Sequence, residues 1–240
     1  MTDLTTRFLI NKLNITIVVI LSVILSITHF TIQGIDVAYV LSSPFAGYIP
    51  GGIFIPQWAL FVITNLFIIY TIGVFYEKLI ANGACSHIIR YCKKINWIRR
   101  LESTVIKGVL IFSLIYALVS FVIGVLFGAN IVSGSANFSF FSLLWILEMV
   151  VVAEVFITLC ICIKKPLISF YIMLLGYMMV GLPSEISCYI PFGISSVKRM
   201  AYYKLDSGFD ISLIFLILVG TFIMARFILY RYGKARMFSN

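Results

Sequence analysis

Two carboxylates, Glu148 and Glu154, lie inside one long apolar stretch of this chain. Ionisable side chains are costly within a membrane and are candidates for function there. Because the two glutamates are six positions apart, about 9 Å along a helix, their side chains point in different directions and do not form a local acid–base pair. We predict that both, with the neighbouring Trp145, line a substrate path. The alternatives are an interhelical hydrogen bond from Glu148 to a Ser, Tyr or His, and an ion pair between Glu154 and a loop Lys or Arg.

The motifs of common enzymes do not occur in the sequence. There is no Walker A or Rossmann glycine pattern, no H-E-x-x-H and no G-x-S-x-G. Cys85, His87 and Cys92 are possible zinc ligands, but their spacing matches no metal-binding motif, and we interpret the cysteines as free thiols that pack as small apolar residues. We therefore expect a protein that is not an enzyme and holds no metal or cofactor. ATP, if it is used, binds with Mg²⁺ to a separate chain.

The composition is that of an integral membrane protein. Hydrophobic residues make up 62% of the 240 positions and charged residues only 11%, whereas a soluble domain carries about a quarter charged residues. On a soluble protein, the net charge of +9 would suggest a nucleic-acid partner. Here the basic residues fall between apolar stretches, where they set orientation in the membrane, and we expect no nucleic-acid binding.

Six apolar stretches are candidates to cross a bilayer, which takes about 20 residues of helix. They are Ile15–Ile32, Ile53–Tyr76, Thr104–Phe127, Phe138–Ile163, Leu167–Leu182 and Ile211–Leu229. The run Lys164-Lys165-Pro166 predicts a tight turn between the fourth and fifth. Ahead of the first, Leu4, Phe8, Leu9 and Leu13 have near-helical spacing, which is typical of an interfacial helix. The sequence therefore predicts one all-α membrane domain over residues 1–240, with six transmembrane helices and an N-terminal interfacial helix.

Orientation follows from the lysines and arginines, which concentrate on the cytoplasmic side of membrane proteins. Three of the 18 basic residues, Lys198, Arg199 and Lys204, lie outside if the N-terminus is inside. The other 15 lie on the inner side or at its boundary: Arg7, Lys12, Lys78, Arg90, Lys93, Lys94, Arg99, Arg100, Lys107, Lys164, Lys165, Arg226, Arg231, Lys234 and Arg236. We therefore predict a multi-pass protein of the cell membrane with both termini in the cytoplasm.

The loop between the second and third spans is a basic island that is long enough to form a docking surface. Residues Ser86–Lys94 can form a short helix, and Trp97 would anchor it at the membrane surface. The residues that we expect to dock are Ser86, His87, Ile88, Ile89, Arg90, Lys93, Lys94 and Trp97. The alternative is a loop that only marks orientation and binds anionic lipid.

The segment Pro183–Asp210, between the fifth and sixth spans, is too polar to cross a membrane and too apolar for a solvated loop. Pro191 and Gly193 interrupt it midway. Two short re-entrant helices that dip into the outer leaflet would fit, provided that their backbone is buried in protein. The residues singled out in this segment are Pro183, Tyr189, Pro191 and Phe192.

A family resemblance enters at the basic loop. The run Glu77…Gly83…His87-Ile-Ile-Arg90-Tyr-Cys-Lys-Lys94-x-x-Trp97, which leads directly into a span, resembles the second intracellular loop of ABC-2-type exporter permeases. More narrowly, it is similar to the small permeases of Gram-positive bacteria that export antimicrobial peptides or give immunity to them. Cys92 departs from that pattern, because Ser or Gly is common at its position.

The resemblance implies a permease subunit that moves an amphipathic substrate, such as a toxic peptide, out of the cell. Its implied partners are two copies of an ABC ATPase, which bind ATP and Mg²⁺, and a second permease, which makes a homodimer. The family's coupling helix would correspond to Ser86–Lys94 and its re-entrant helices to Pro183–Tyr203. Two alternatives stay open: an ion-coupled secondary transporter or channel, and an immunity protein that binds a toxin without transporting it.

Overall fold

The computed structural model describes residues 9–32, 37–45, 47, 55–81, 94–129, 131–180, 190–197 and 210–233. This part of the chain is all-helical, with six α-helices and no β-strand. The α-helices are α1 (Lys12–Ile32), α2 (Ile55–Ala81), α3 (Lys94–Leu126), α4 (Ile131–Ile163), α5 (Pro166–Met179) and α6 (Ile211–Ile228). A 3₁₀ helix, Val37–Phe45, lies between α1 and α2, and a π-helical turn, Leu229–Gly233, continues α6.

Five of the six α-helices, all except α5, are long and apolar enough to cross a membrane. α5 has 14 residues, which extend about 21 Å at 1.5 Å per residue, whereas the hydrocarbon core of a bilayer is about 30 Å thick. The predicted fifth span, Leu167–Leu182, is therefore a shorter apolar helix in the structure. The chain is a multi-pass helical membrane protein. Of the predicted interfacial helix, residues 1–8 lie outside the described part of the chain.

The turn between α4 and α5 has a local cause. Lys164 adopts a left-handed conformation with φ of +63°, which ends α4, and its N–H donates to the carbonyl of Cys160 at 2.9 Å. Pro166 then begins α5, a position where its missing N–H costs nothing. Only Lys164 and Lys165 separate the two helices, which pack on each other, in agreement with the tight turn that the sequence predicted.

The central helix of the bundle is α4. It packs against α2, α3, α5 and α6 and against the 3₁₀ helix, and 67% of its apolar stretch is buried. For α1 and α6 the buried shares are only 28% and 17%. These two helices therefore lie at the periphery, with most of their apolar surface directed outward.

An aromatic cluster joins the 3₁₀ helix to α3 and α4. The centroid of the Phe45 ring lies 5.5 Å from those of Phe138 and Trp145 and 6.0 Å from that of Tyr116. Tyr116 and Trp145 are themselves 5.0 Å apart. All four side chains are buried, so the cluster fixes the position of the 3₁₀ helix on the bundle.

Polar pairs connect the helices inside the apolar interior. They are Ser26–Ser120 between α1 and α3 (2.7 Å), His29–Thr64 between α1 and α2 (2.9 Å) and Trp145–Asn65 between α4 and α2 (2.9 Å). The imidazole of His29 is buried in protein. Because lipid chains are as apolar as the helix surfaces, such polar contacts and close packing locate membrane helices relative to one another.

The aromatic cluster generates a stability prediction. Replacing Phe45 with Ala removes three aromatic pairs, each worth about 0.5–1.5 kcal/mol, and leaves a cavity. We expect Phe45→Ala to lower the free energy of unfolding by about 2–4 kcal/mol, measured by SDS titration of the protein in detergent micelles. Phe215→Ala is the matched control, since Phe215 is 42% exposed on α6. An equal loss in both variants would contradict a special role of the cluster.

Candidate functional site

The structure describes seven of the residues that the sequence singled out. They are Lys94, Trp97, Trp145, Glu148, Glu154, Pro191 and Phe192. The others lie outside the described residues: Ser86, His87, Ile88, Ile89, Arg90, Lys93, Pro183 and Tyr189, together with the candidate zinc ligands Cys85 and Cys92.

Glu148 is fully buried in α4 and holds the segment formed by residues 190–197. One of its carboxylate oxygens accepts a hydrogen bond from the backbone N–H of Gly193. The other accepts from the backbone N–H of Ser195, at 2.8 Å, and from the hydroxyl of Ser195. A carboxylate is rich in acceptor sites, and it here satisfies backbone donors that lie deep among the helices. The hydrogen bond to a serine is one of the alternatives that the sequence left open for Glu148.

The 190–197 segment turns where it meets Glu148. Gly193 has a φ of +70°, a left-handed conformation that favours glycine, and a Cβ at this position would strike the ring of Phe61. The turn is closed from within, because the Ser196 hydroxyl donates to the Gly193 carbonyl at 2.6 Å. On the other side of the segment, the ring of Phe192 packs on Tyr177 of α5 at 5.1 Å between centroids.

Trp145 lies one turn before Glu148 and supports the same region. Its buried indole N–H donates to the Asn65 side-chain oxygen at 2.9 Å. The Asn65 amide in turn donates to the carbonyl of Phe61, at 2.8 Å, and the Phe61 ring is the one that faces Gly193. Trp145 and Glu148 thus belong to one packed assembly of α2, α4 and the 190–197 segment.

An apolar cavity lies elsewhere in the described part of the chain. It measures about 420 Å³ and is formed by α1, α2 and α5. Its apolar lining includes Ile17, Leu21, Leu66, Phe67, Phe170 and Leu174, and its polar groups come from Asn14, Tyr70 and Thr71. Trp145, Glu148 and Glu154 do not line this cavity. That these three residues line a substrate path stays a prediction.

Glu154 faces a second group of charged residues. It interacts electrostatically with Glu102 of α3 and Arg226 of α6. Arg226 donates from Nε to Glu102 at 2.9 Å, and the hydroxyl of Tyr230 donates to the other oxygen of Glu102. We call Glu102, Glu154, Arg226 and Tyr230 the Glu102–Arg226 cluster. The expected ion pair of Glu154 with a loop Lys or Arg is wrong in this respect: the neighbouring arginine lies on a helix, and it pairs with Glu102.

Trp97 also differs in position from the prediction. α2 continues to Ala81 and α3 begins at Lys94, so the basic connection is residues 82–93 and the third span begins before Thr104. Trp97 is inside α3 and only 4% exposed, not an anchor at a membrane surface. Buried next to it along α3 are Ile98 and Leu101. One face of the base of α3 is thus buried in the protein, while Arg99 and Arg100 are exposed.

Sequence reasoning missed Glu102 and Ser195, and it named Gly193 only as an interruption of its segment. Glu102 was assigned to the basic loop because the third span was started at Thr104. Gly193 and Ser195 are 45 and 47 positions from Glu148, and no local pattern connects them. The available signal was Pro191 and Gly193 themselves, which indicate a turn within an apolar segment whose backbone groups need partners.

Comparison of the chain with protein-family models, with curated proteins and with solved structures finds no significant match.

The role of Glu148 can be tested by hydrogen–deuterium exchange. In Glu148→Gln, one carboxylate oxygen becomes an NH₂ donor, so at least one donor of the turn loses its acceptor. A hydrogen bond to a charged group is worth about 1.5–3 kcal/mol, and we expect the backbone amides of residues 190–197 to exchange roughly tenfold faster or more. The control is Glu154→Gln, on the same helix. Unchanged exchange in Glu148→Gln would show that the carboxylate does not hold the segment.

The packing of the turn can be tested by comparing two glycine-to-alanine substitutions. Gly193 and Gly128 both have positive φ, +70° and +82°, so alanine is strained at each by about 1–2 kcal/mol. Only at Gly193 does the added Cβ also meet a ring, while nothing lies within 4 Å at Gly128. We expect Gly193→Ala to lower the free energy of unfolding by about 1–3 kcal/mol more than Gly128→Ala does. The measurement is the thermal unfolding midpoint of each variant, which should be lower for Gly193→Ala. Equal midpoints would contradict the described packing of Phe61 on the turn.

Proposed function

We propose that the chain is the permease subunit of an ATP-binding-cassette exporter that moves an amphipathic substrate, such as a toxic or antimicrobial peptide, out across the cell membrane. The resemblance at the basic loop motivates the proposal. The observation that carries it is the course of α3, which runs unbroken from Lys94 to Leu126. Its first residues follow directly on the basic connection, and its base is buried through Trp97.

This course suits the transmission of force. A helix of 33 residues is about 50 Å long and moves as a rod, so a push on the connection 82–93 reaches the whole bundle. Because Trp97 packs inside the protein, the base of α3 cannot shift without displacing its neighbours. ATP-driven closure of a partner could in this way switch the bundle between two packings, as rigid elements do in other transport proteins.

The α1–α2–α5 cavity is the part of the described structure best suited to an amphipathic substrate. Ligand sites are concave and mostly apolar with a few polar groups, and this cavity fits that description. Its polar residues Asn14, Tyr70 and Thr71 come from the first turn of α1 and the second half of α2. We assign the substrate path to this cavity in place of Trp145, Glu148 and Glu154.

The remaining parts of the proposal concern orientation and assembly. Both termini and the connection 82–93 lie in the cytoplasm, in keeping with the excess of basic residues there. The 190–197 segment belongs to a re-entrant region on the outer side, and α5 belongs to the fifth of six proposed crossings. Two ABC ATPase subunits supply ATP and Mg²⁺, a second copy of the permease completes a homodimer, and membrane lipids surround it.

An ion-coupled transporter is the second candidate. Transporters of that type carry ionisable side chains within the membrane, paired with one another. The Glu102–Arg226 cluster, whose two carboxylates are buried, is such an arrangement. ATP-independent substrate movement in liposomes under an ion gradient would favour this candidate.

Co-purification tests the exporter. We expect the chain to bind the ATPase of a neighbouring reading frame and to change its rate of ATP hydrolysis. Arg90→Glu and Lys94→Glu reverse charges at the proposed docking surface, and we expect at least tenfold weaker binding, which corresponds to about 1.4 kcal/mol. The matched control is Lys165→Glu, which reverses an exposed charge in the α4–α5 turn. If the complex and its hydrolysis survive both docking variants, the coupling assignment is wrong.

A further inference from the structure

Glu154 is a buried carboxylate that lacks hydrogen-bond donors. Its side chain is 1% exposed, and neither of its oxygens has a hydrogen-bond partner among the described residues. Glu148, on the same helix, accepts from three donors. An isolated ionised carboxylate in an apolar interior is so costly that such groups are paired or neutralised. Glu154 therefore needs a compensating partner that hydrogen bonds do not supply.

Among the described residues, the charges around Glu154 do not supply that partner either. Glu154 interacts electrostatically with the carboxylate of Glu102 on α3 and with Arg226 on α6, while Tyr230 contacts Glu102. The cluster thus contains two carboxylates and one guanidinium. The guanidinium is engaged by Glu102, which also receives the hydroxyl of Tyr230. With both carboxylates ionised, the cluster would carry one uncompensated negative charge.

The surroundings of Glu154 favour a proton as the cation that compensates this charge. Glu154 and Glu102 are 1% and 3% exposed, so both carboxylates are shielded from solvent. Among the described residues, no group of three or more His, Cys, Asp or Glu side chains surrounds a possible metal position. A proton needs neither space nor a coordination shell, and two carboxylates that share a site rarely ionise together.

We propose that Glu154 is an intramembrane proton-binding site. The proton is held on a carboxylate oxygen of Glu154 while Arg226 pairs with Glu102. Arg226 is 49% exposed and lies on the peripheral helix α6, so its guanidinium can turn from Glu102 to Glu154. When it does, the proton passes from Glu154 to Glu102, so that the net charge of the cluster does not change. Occupancy of the site is therefore linked to the position of Arg226 between the two carboxylates.

This proposal is independent of the exporter function, because it concerns only the chain itself. The test is infrared spectroscopy of the full chain in lipid nanodiscs, with no ATPase present. A protonated carboxylic acid has a carbonyl stretching band that an ionised carboxylate lacks. We expect such a band at neutral pH in the native chain and its loss in Glu154→Gln. Glu77→Gln, which changes an exposed carboxylate at the end of α2, should leave the band unchanged.

Two further variants assign the proton and test its cause. Glu154→Asp should shift the frequency of the band, because an aspartic acid absorbs at a different position, and Glu102→Asp should leave the frequency in place. Glu102→Gln frees Arg226 for Glu154 and removes the neighbouring charge, so we expect the band to weaken at least tenfold at neutral pH. Circular dichroism and gel filtration establish that each variant is folded.

Three results would overturn the proposal. The first is a native spectrum in which Glu154→Gln and Glu154→Asp change nothing in the carboxylic acid region. The second is a band that moves in Glu102→Asp, which would place the proton on Glu102. The third is a band that persists at full strength in Glu102→Gln, which would show that the shared guanidinium does not control it.

Discussion

Backbone donors deep inside a membrane protein must find acceptors within the protein, and Glu148 meets that requirement for the 190–197 segment. Lipid offers no hydrogen bonds to non-helical backbone, which is tolerated only where protein or water satisfies it. The segment bends at Gly193 and exposes its N–H groups toward α4. The carboxylate of Glu148, with two accepting oxygens at this position along α4, makes the bend possible. The positions of Phe192 on α5 and of Phe61 on α2 then follow from the same contact.

Polar contacts also hold the other helices of the bundle in place. Apolar helix faces have no preference for one another over lipid, so the helices are located by packing and by a few polar pairs. α4 contributes the indole of Trp145 to α2 and the hydroxyl of Thr158 to the Ala225 carbonyl of α6, at 3.2 Å. α1 is held through Ser26 and His29. The central position of α4 thus results from polar side chains that its own sequence supplies.

The helices could be predicted from hydropathy, but the contacts of the candidate site could not. Long apolar stretches must be helical in a membrane, and five of them are helices of spanning length. The start of α3 was placed too late because Arg99, Arg100 and Glu102 look like loop residues. Long basic side chains can extend from a helix toward water, so a helix can include them, and Trp97 with them. Likewise, Ser195 and Arg226 are far from Glu148 and Glu102 in sequence, and only the packing of the helices reveals them as partners.

The two glutamates of α4 show how surroundings give one residue type two different tasks. The hydrogen-bond donors of Glu148 belong to a turn and cannot move away unless that turn unfolds. The environment of Glu148 is therefore constant. Glu154 faces a carboxylate and a guanidinium on side chains that can move, and Arg226 sits on the least buried helix of the bundle. Glu102 lies five residues beyond Trp97, on the same buried base of α3. A displacement of α3 that starts at the connection 82–93 would therefore move Glu102 relative to Arg226. The electrostatic environment of Glu154 would change as a result.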